Sequence, residues 1–371
     1  FRMEVQAFLS ATLTDDFWAY HQERELPGWS PRFSQAAADA GLLGIAWPEA
    51  YGGQEKGVIE QTIYMDEMAY AGAPQEHHRR AVQQVGPSIL LFGSDEQKER
   101  YLGPISRAEI SFAMGLSEPN AGSDLANVQC TAIRDGDEYV LNGQKRFTSG
   151  AHYSDYLWTV ARTDPEAPKH RGISMIAVPL KADGVEVRPL IDMQGRHHFN
   201  EVFLTDVRVP VDHRVGEENR GWYVNARTMD LERSGGSHIG SLRRHLDDCL
   251  AAARNSPTQP AEARLRLTEC ATAVEVTRLL AYRVAWLRSK ETSPNYEVSI
   301  VKNLASETHQ RLANLMFGYV GLSGLLQLDP DPESDGWGPE YVNAVSATIG
   351  QGSSEIQRNV IATRGLGLPR G

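Results

Sequence analysis

Glu232 is the carboxylate whose place in the sequence best suits proton transfer. If one helix is continued back from the apolar positions Ile239 and Leu242, Glu232 lies seven residues before Ile239 and therefore on the same inner stripe. Glycines and serines between residues 235 and 241 would keep that face shallow enough for a ligand. Burial raises the pKa of a carboxylate, which can then act as a general base. The alternative is a buried ion pair in which Arg233 or another arginine neutralises Glu232.

Three polar segments could bind a ligand. In residues 113–124 an apolar run ends in a cluster with a proline, a glycine and two serines, and residues 142–150 form a second polar turn that carries an aromatic. Residues 350–358 open a helix-like pattern near the C-terminus. Exposed N–H groups and hydroxyls at such turns suit an anionic or polar ligand. Taken singly, each segment would pass for an ordinary loop.

In this order, the three segments resemble the flavin-binding segments of the acyl-CoA dehydrogenase family. The resemblance extends from Trp47 to Pro369 and so covers nearly the whole chain. Several motifs in one order are more specific than any single glycine pattern. The resemblance implies FAD as cofactor, an acyl-CoA thioester as substrate and an electron-transfer flavoprotein as electron acceptor. The product would be a 2,3-unsaturated thioester, formed by loss of an alpha proton and a beta hydride.

The resemblance also implies ten flavin contacts. They are Met114, Leu116, Ser117, Gly122, Ser123, Phe147, Thr148, Ser149, Ser353 and Glu355. Ser117 matches the residue that hydrogen-bonds the pyrimidine edge, and Phe147 stands where most members have the tryptophan that covers the ring. The hydroxyls of the same turn match the one that approaches the hydride-accepting nitrogen. Ser123, Arg233 and Gln351 are the implied substrate contacts.

Two positions in the family can carry the catalytic glutamate. One lies on the helix, directly before an arginine, and the other lies in the C-terminal motif. Gln351 occupies the C-terminal position and cannot usefully accept a proton, whereas Glu232 precedes Arg233. The resemblance therefore implies Glu232 as the base and Gln351 as a non-basic wall of the substrate site.

Two motifs that act across subunit interfaces in the family's homotetramers are missing. Residues 253–260 lack Arg-x-x-Phe-Gly, and residues 315–319 lack the glutamine of Gln-x-x-Gly-Gly. Some bacterial members that act on bulky substrates such as steroid side chains are built from two different chains, so one expectation is a related partner chain. The other is a homo-oligomer that holds FAD through residues such as Arg254 or Arg264.

Two further functions fit the same fold. One is a flavin monooxygenase or oxidase, and the other is a non-catalytic partner subunit. Glu232 counts against both, because neither needs a base for an alpha proton. The missing interface motifs count in favour of the subunit.

Composition excludes other classes. The 371 residues carry a formal net charge of −11, which argues against a nucleic-acid partner because phosphates require clustered cations. No run of about twenty residues is apolar enough for a membrane span. Adjacent histidines, as in the doublets His77-His78 and His197-His198, point to different faces of a helix or strand, and no carboxylate or cysteine recurs at ligand spacing beside them, so we predict no metal site. Scattered cysteines and the lack of a signal peptide suggest a cytoplasmic protein; the cysteines are Cys130, Cys249 and Cys270.

The elements that must position these residues change type along the chain. Residues 1–110 have helical periodicity, residues 111–215 alternate as strands do, and residues 216–371 are helical again. The predicted strands are Glu138–Leu141, Tyr156–Arg162, Ile173–Pro179, Val185–Arg188 and Asn200–Val207. We therefore predict an α+β protein with an N-terminal helical domain, a small, mostly antiparallel β-barrel or sandwich, and a C-terminal four-helix bundle.

Overall fold

Helices occupy both ends of the chain and strands its middle, so the α+β prediction is confirmed. The computed structural model describes residues 1–24, 28–232, 236–255, 261–292, 294–320 and 337–369. The helices are α1 (Arg2–Thr12), α2 (Asp15–Arg24), α3 (Pro31–Asp39), α4 (Val58–Tyr70), α5 (Gly86–Phe92), α6 (Asp95–Ser106), α7 (Gly221–Glu232), α8 (Gly236–Asn255), α9 (Ala261–Ser289), α10 (Tyr296–Val320), α11 (Trp337–Ala347) and α12 (Ser354–Val360).

Contacts divide the chain into two units. The sheet unit comprises Thr12–Lys56 and Pro74–Glu232, and the bundle unit comprises Phe1–Ala11, Gly57–Ala73 and Arg233–Gly371. Two helices from the first 110 residues, α1 and α4, thus belong with the C-terminal helices.

The central sheet contains eight strands in the described part of the chain. They are β1 (Phe112–Gly115), β2 (Thr131–Asp135), β3 (Glu138–Lys145), β4 (Tyr156–Arg162), β5 (Ile173–Pro179), β6 (Val185–Leu190), β7 (Phe199–Pro210) and β8 (Arg214–Val215). Their order is β6-β7-β3-β2-β4-β5-β8, with β1 paired to β4. Only the β1–β4 and β2–β4 pairings in this sheet are parallel, so the mostly antiparallel prediction is confirmed.

The burial pattern of β7 shows which of its residues face the core. Asn200, Val202 and Leu204 alternate as buried residues. At Asp206, where φ is +52°, the phase changes, and Val207 continues the buried set. A side chain at position 200 is therefore directed to the same interior as the valine and leucine that follow it.

Local signals explain where the helices of the sheet unit begin. Ser94 precedes α6, and its Oγ accepts from the Gln97 N–H at 3.3 Å while Gln97 Oε1 accepts from the Ser94 N–H at 3.0 Å. This capping box satisfies two backbone donors at once. Helix α6 therefore begins directly after Ser94.

The bundle unit buries the apolar stripe predicted for α8. Ile239, Leu242 and Cys249 are buried, and α8 packs with α9, α10 and α11 around Leu267, Val274, Leu312 and Trp337. All three cysteines are buried and free. The prolines and acidic residues of the stretch from Leu328 to Pro339 predict a loop. Positions up to 336 lie outside the described residues, and the prediction is wrong for the last three residues, which begin α11.

The shallow face of α8 is filled by protein. A Cβ at Gly240 would lie 2.0 Å from the Asp66 carbonyl oxygen and 2.6 Å from the Tyr70 nitrogen, and one at Gly236 would lie 2.9 Å from Met65 Cβ. We expected these glycines to leave room for a ligand, and for these two positions that interpretation is wrong. They cost helix stability of about 1 kcal/mol each but allow α4 to approach the backbone of α8.

Among the residues described, no helix combines the length and the apolar character needed to cross a bilayer.

Candidate active site

Two of the three predicted flavin segments lie side by side in the sheet unit. The Arg146 N–H donates to the Ser117 carbonyl oxygen at 2.8 Å, at the point where the chain has left β1. Arg146 directly precedes the turn of residues 147–149, called here the flavin turn, so this bond places the segment with Met114, Leu116 and Ser117 beside that turn. The structure therefore brings together the predicted contacts on these two segments.

A buried ion pair fastens the two segments to each other. Lys145 is fully buried, and its Nζ donates to Glu118 Oε1 at 2.7 Å and to the Val160 carbonyl oxygen at 2.7 Å. The Glu118 carboxylate also accepts from the N–H groups of Gln129, at 2.6 Å, and Cys130, at 3.1 Å. A buried charge pair is favourable only when its remaining hydrogen bonds are satisfied, as they are here. Neither Glu118 nor Lys145 was among the predicted site residues.

Thr148 provides the test of whether this site fits a flavin. Its side chain is fully buried, and its Oγ1 has no hydrogen-bond partner among the described residues. Its backbone is fixed by a pair of bonds to Asn200, the N–H donating at 2.9 Å and the carbonyl accepting at 3.0 Å. Buried hydroxyls almost always have a partner. An orphaned hydroxyl on a rigid turn therefore fits a bound polar molecule such as the flavin.

Phe147 is strained and exposed. Its φ is +57°, in the left-handed region, and 56% of its surface is accessible. Its ring meets Phe199 edge to face, with 6.1 Å between centroids, and the Arg146 guanidinium lies 5.1 Å from its centroid. Left-handed backbone at a non-glycine residue costs on the order of 1–2 kcal/mol and is concentrated at functional sites. The conformation suits an aromatic that covers a ligand.

The end of the first segment is an open loop. Gly122 and Ser123 are exposed, and a Cβ added at Gly122 would meet nothing within 4 Å. The chain after the loop is anchored by Arg162, which donates to the carbonyl oxygens of Ala126 at 2.8 Å and Val128 at 3.2 Å. The loop thus leaves open space around Gly122.

Helix α7 is fixed to the rest of the sheet unit at both ends. A Cβ at Gly221 would lie 2.5 Å from the carbonyl carbon of Ser174 in β5, so the helix begins against that strand. Near its end, Thr228 is fully buried and its Oγ1 lies 2.5 Å from Ser88 Oγ of α5. Glu232 is the last residue of this helix.

Glu232 and Ile239 lie on different helices, so the position of Glu232 must be judged within α7. The predicted position of Glu232 was counted back from Ile239 along one helix, whereas in the structure α7 ends at Glu232 and α8 begins at Gly236. Residues 233–235, including the predicted substrate contact Arg233, lie outside the described residues. Within α7, position 232 follows the buried residues Val224 and Thr228 at intervals of four.

The third predicted segment belongs to the bundle unit. Ser353 caps α12, its Oγ accepting from the Ile356 N–H at 3.4 Å. Glu355 is exposed in the first turn, where the backbone N–H lowers its pKa. Gln351 has a φ of +57°, and its carbonyl oxygen accepts from Nε2 of the buried Gln357 at 3.2 Å.

A histidine cluster in the bundle unit was also missed. Glu340 accepts a hydrogen bond from His309, and its Oε1 lies 3.6 Å from His245 Nε2. The two imidazoles are stacked, with 5.0 Å between centroids. These groups could hold a metal ion. In the structure, however, the Glu340 carboxylate and the His309 imidazole are directly hydrogen-bonded to each other. The sequence-based prediction concerned only the histidine doublets, because His245, His309 and Glu340 are far apart in sequence.

Three family models match consecutive parts of the chain. They are the acyl-CoA dehydrogenase N-terminal domain over residues 1–109, the middle domain over residues 113–207 and the C-terminal domain over residues 219–366. Together they cover nearly the full length.

Relatives and solved structures agree with this match. The chain is 35% identical over 380 residues to the acyl-CoA dehydrogenase IpdE1 of Mycobacterium tuberculosis, covering 100% of this chain and 97% of the relative. A structure described as the Tcur3481-Tcur3483 steroid ACAD has a TM-score of 0.89 at 33% identity, covering 100% of this chain and 97% of that one. The ChsE4-ChsE5 complex from Mycobacterium tuberculosis has a TM-score of 0.83 at 31% identity, with the same two coverages.

Proposed function

The chain belongs to the acyl-CoA dehydrogenase family, and from this premise we propose that Glu232 is the base that takes the alpha proton of the substrate. The protein is an FAD-dependent oxidoreductase that dehydrogenates acyl-CoA thioesters. The residues that perform the reaction, the acyl group that is used and the proteins that take part are proposals.

The observation that carries this proposal is the register of α7. Val224 and Thr228 are 2% and 0% exposed, and position 232 continues their stripe by one more helical turn. The family's other position for a base is occupied by Gln351, whose amide does not accept a proton at neutral pH. Glu232 is thus the carboxylate at a family base position. A base there would contribute about 10²–10⁴-fold to the rate.

We assign the flavin to the sheet unit's two joined segments. Met114, Leu116 and Ser117 would lie along the flavin ring, Phe147 would cover it, and the hydroxyls of Thr148 and Ser149 would hydrogen-bond it. Gly122 and Ser123 would face its pyrophosphate, and Ser353 and Glu355 would contact its ADP and ribityl portions. When bound, FAD supplies the hydride acceptor. The orphaned Thr148 hydroxyl is the feature that best supports this assignment.

Anaerobic flavin reduction tests the assignment of the base. A panel of CoA esters is added to FAD-loaded protein, and loss of the flavin absorbance is followed for the wild type, Glu232→Gln and Glu217→Gln. Glu217 is an exposed carboxylate that precedes α7 and serves as the matched control. We expect bleaching in the wild type and the control and a rate at least about a hundredfold lower in Glu232→Gln with FAD retained. Bleaching of Glu232→Gln at the wild-type rate would refute the assignment.

We further propose a bulky, ring-containing acyl group and a second, related chain. Two similar structures are described as a steroid ACAD and as a ChsE4-ChsE5 complex, and both descriptions name two chains. Helix α9 supports an additional partner, because Leu265, Leu279 and Trp286 are 60%, 56% and 52% exposed and recur at multiples of seven residues. Such spacing makes one apolar stripe. An electron-transfer flavoprotein would reoxidise the enzyme.

Purification of the single chain tests the two-chain proposal. We expect the chain alone to bind much less than one FAD and to gain stoichiometric FAD when it is coexpressed with its partner. A single-chain preparation with one FAD per chain, active with a CoA ester, would contradict the proposal.

A further inference from the structure

We propose that Asn200 is a positioning residue that holds the flavin turn in its strained conformation and thereby aims the Thr148 hydroxyl. Asn200 lies on β7, more than fifty residues after the turn, and no role was predicted for it. The inference rests on the proposed assignment of this turn to the flavin. It concerns how the chain prepares that site.

Asn200 hydrogen-bonds Thr148 through both its backbone and its side chain. The two residues exchange backbone hydrogen bonds of 2.9 and 3.0 Å, and Asn200 Nδ2 donates a third to the Thr148 carbonyl oxygen at 3.0 Å. Both residues are fully buried. Three bonds between one pair of residues fix the peptide that follows the left-handed Phe147, and such strain persists only where the surroundings over-determine it.

Two histidines complete the hydrogen bonding of the Asn200 amide. His197 Nε2 lies 2.7 Å from Asn200 Oδ1, and Asn200 Nδ2 lies 3.1 Å from His152 Nδ1. The amide therefore donates to His152 and to Thr148 and accepts from His197, which assigns a neutral His152 whose Nδ1 is the acceptor. The imidazoles stack with 3.9 Å between centroids. Burial, with the nearby His197, lowers the pKa of His152 and favours that neutral form.

The Asn200 side chain has hydrogen-bond partners for both its oxygen and its nitrogen, whereas the Thr148 hydroxyl has none among the described residues. The Asn200 side chain therefore makes its hydrogen bonds to other protein groups, and the Thr148 hydroxyl stays available to hydrogen-bond the ligand. Its loss should change the site through the turn, without removing any group that touches the flavin.

The experiment compares Asn200→Ala, Asn200→Asp, Thr148→Ala and the Asn200→Ala/Thr148→Ala double variant, in the assembly in which the chain purifies. Asn142→Ala is the control, because Asn142 lies on the same sheet, is exposed and uses its side chain to hydrogen-bond the surface residue Asp206. FAD dissociation constants are measured by flavin fluorescence, flavin midpoint potentials by reductive titration, and folding of the apoprotein by circular dichroism.

We expect about tenfold weaker FAD binding and a shifted midpoint potential in both Asn200 variants, with Asn142→Ala unchanged. Asp keeps the shape but cannot donate to Thr148, so it guards against a folding defect in the alanine variant. Because Asn200 acts through Thr148, the losses in the double variant should not add. Additive losses, or Asn200 variants that bind FAD as tightly as the control while Thr148→Ala does not, would overturn the inference. If Thr148→Ala also binds FAD normally, the flavin assignment itself fails and takes the inference with it.

Discussion

Replacing Lys145 by Met should show how much the two flavin segments depend on their buried ion pair. Lys145 is 0% exposed and the Glu118 side chain 4%, so the substitution leaves a carboxylate in the interior without its cation. Removing one partner of a buried pair costs about 3–5 kcal/mol. Glu118 keeps two backbone N–H donors, which places the expected loss near the lower value, about 3 kcal/mol.

Urea unfolding of the apoprotein, followed by circular dichroism, measures this loss. Lys169→Met is the matched control, because Lys169 pairs with Asp124 at the surface, where the side chains are 47% and 55% exposed, and exposed pairs contribute about 0–1 kcal/mol. The double variant Glu118→Gln/Lys145→Met removes both charges and should recover at least half of the loss. A loss below about 1 kcal/mol in Lys145→Met, or a double variant as unstable as the single one, would refute the reasoning about this pair.

Two other predictions concern the bundle unit. Burial lowers the pKa of His245 to about 4, so between about pH 6.5 and pH 4 the unfolded chain binds a proton that the folded chain does not, and stability should fall as pH is lowered. Burial would raise the pKa of Glu340, but the hydrogen bond from His309 and nearby charges lower it to about 2, so stability should fall further below about pH 4.5. Urea midpoints measured against pH for the wild type and His245→Asn check this expectation. Equal slopes of midpoint against pH in the two proteins would contradict it. Gly240→Ala should destabilise the protein by several kcal/mol, because its Cβ would lie 2.0 Å from a backbone oxygen. Gly318→Ala, in open space on α10, is the control and should stabilise the protein by up to about 1 kcal/mol. Similar thermal midpoints for the two variants would show that close packing of α8 is not the reason for its glycines.

The sequence predicted elements best where one local pattern dominates. Strands β4 and β5 begin and end at the predicted residues, because most side chains in them are buried and apolar. Strand β2 was not among the predicted strands. Its five residues include Arg134 and Asp135, both exposed, which obscure the alternation.

Sites that depend on distant residues could not be predicted in this way. The glycines of α8 have the same sequence pattern whether a ligand or another helix approaches, and only the position of α4 decides between the two. Glu118 with Lys145, and Asn200 with Thr148, are joined across 27 and 52 residues. A buried lysine in a strand was the available signal for the first pair. For Asn200 it was a polar residue in phase with buried Val202 and Leu204.

Removal of the alpha proton by Glu232 is the central claim, and hydrogen exchange tests it without the redox step. An acyl-CoA with oxygen in place of carbon 3 has no hydride to give, so in D₂O the enzyme can only exchange the proton at carbon 2, which mass spectrometry records. The account predicts rapid deuterium incorporation with the wild type and Glu217→Gln and incorporation slowed by about 10²–10⁴-fold with Glu232→Gln. Incorporation at the wild-type rate with Glu232→Gln would contradict it.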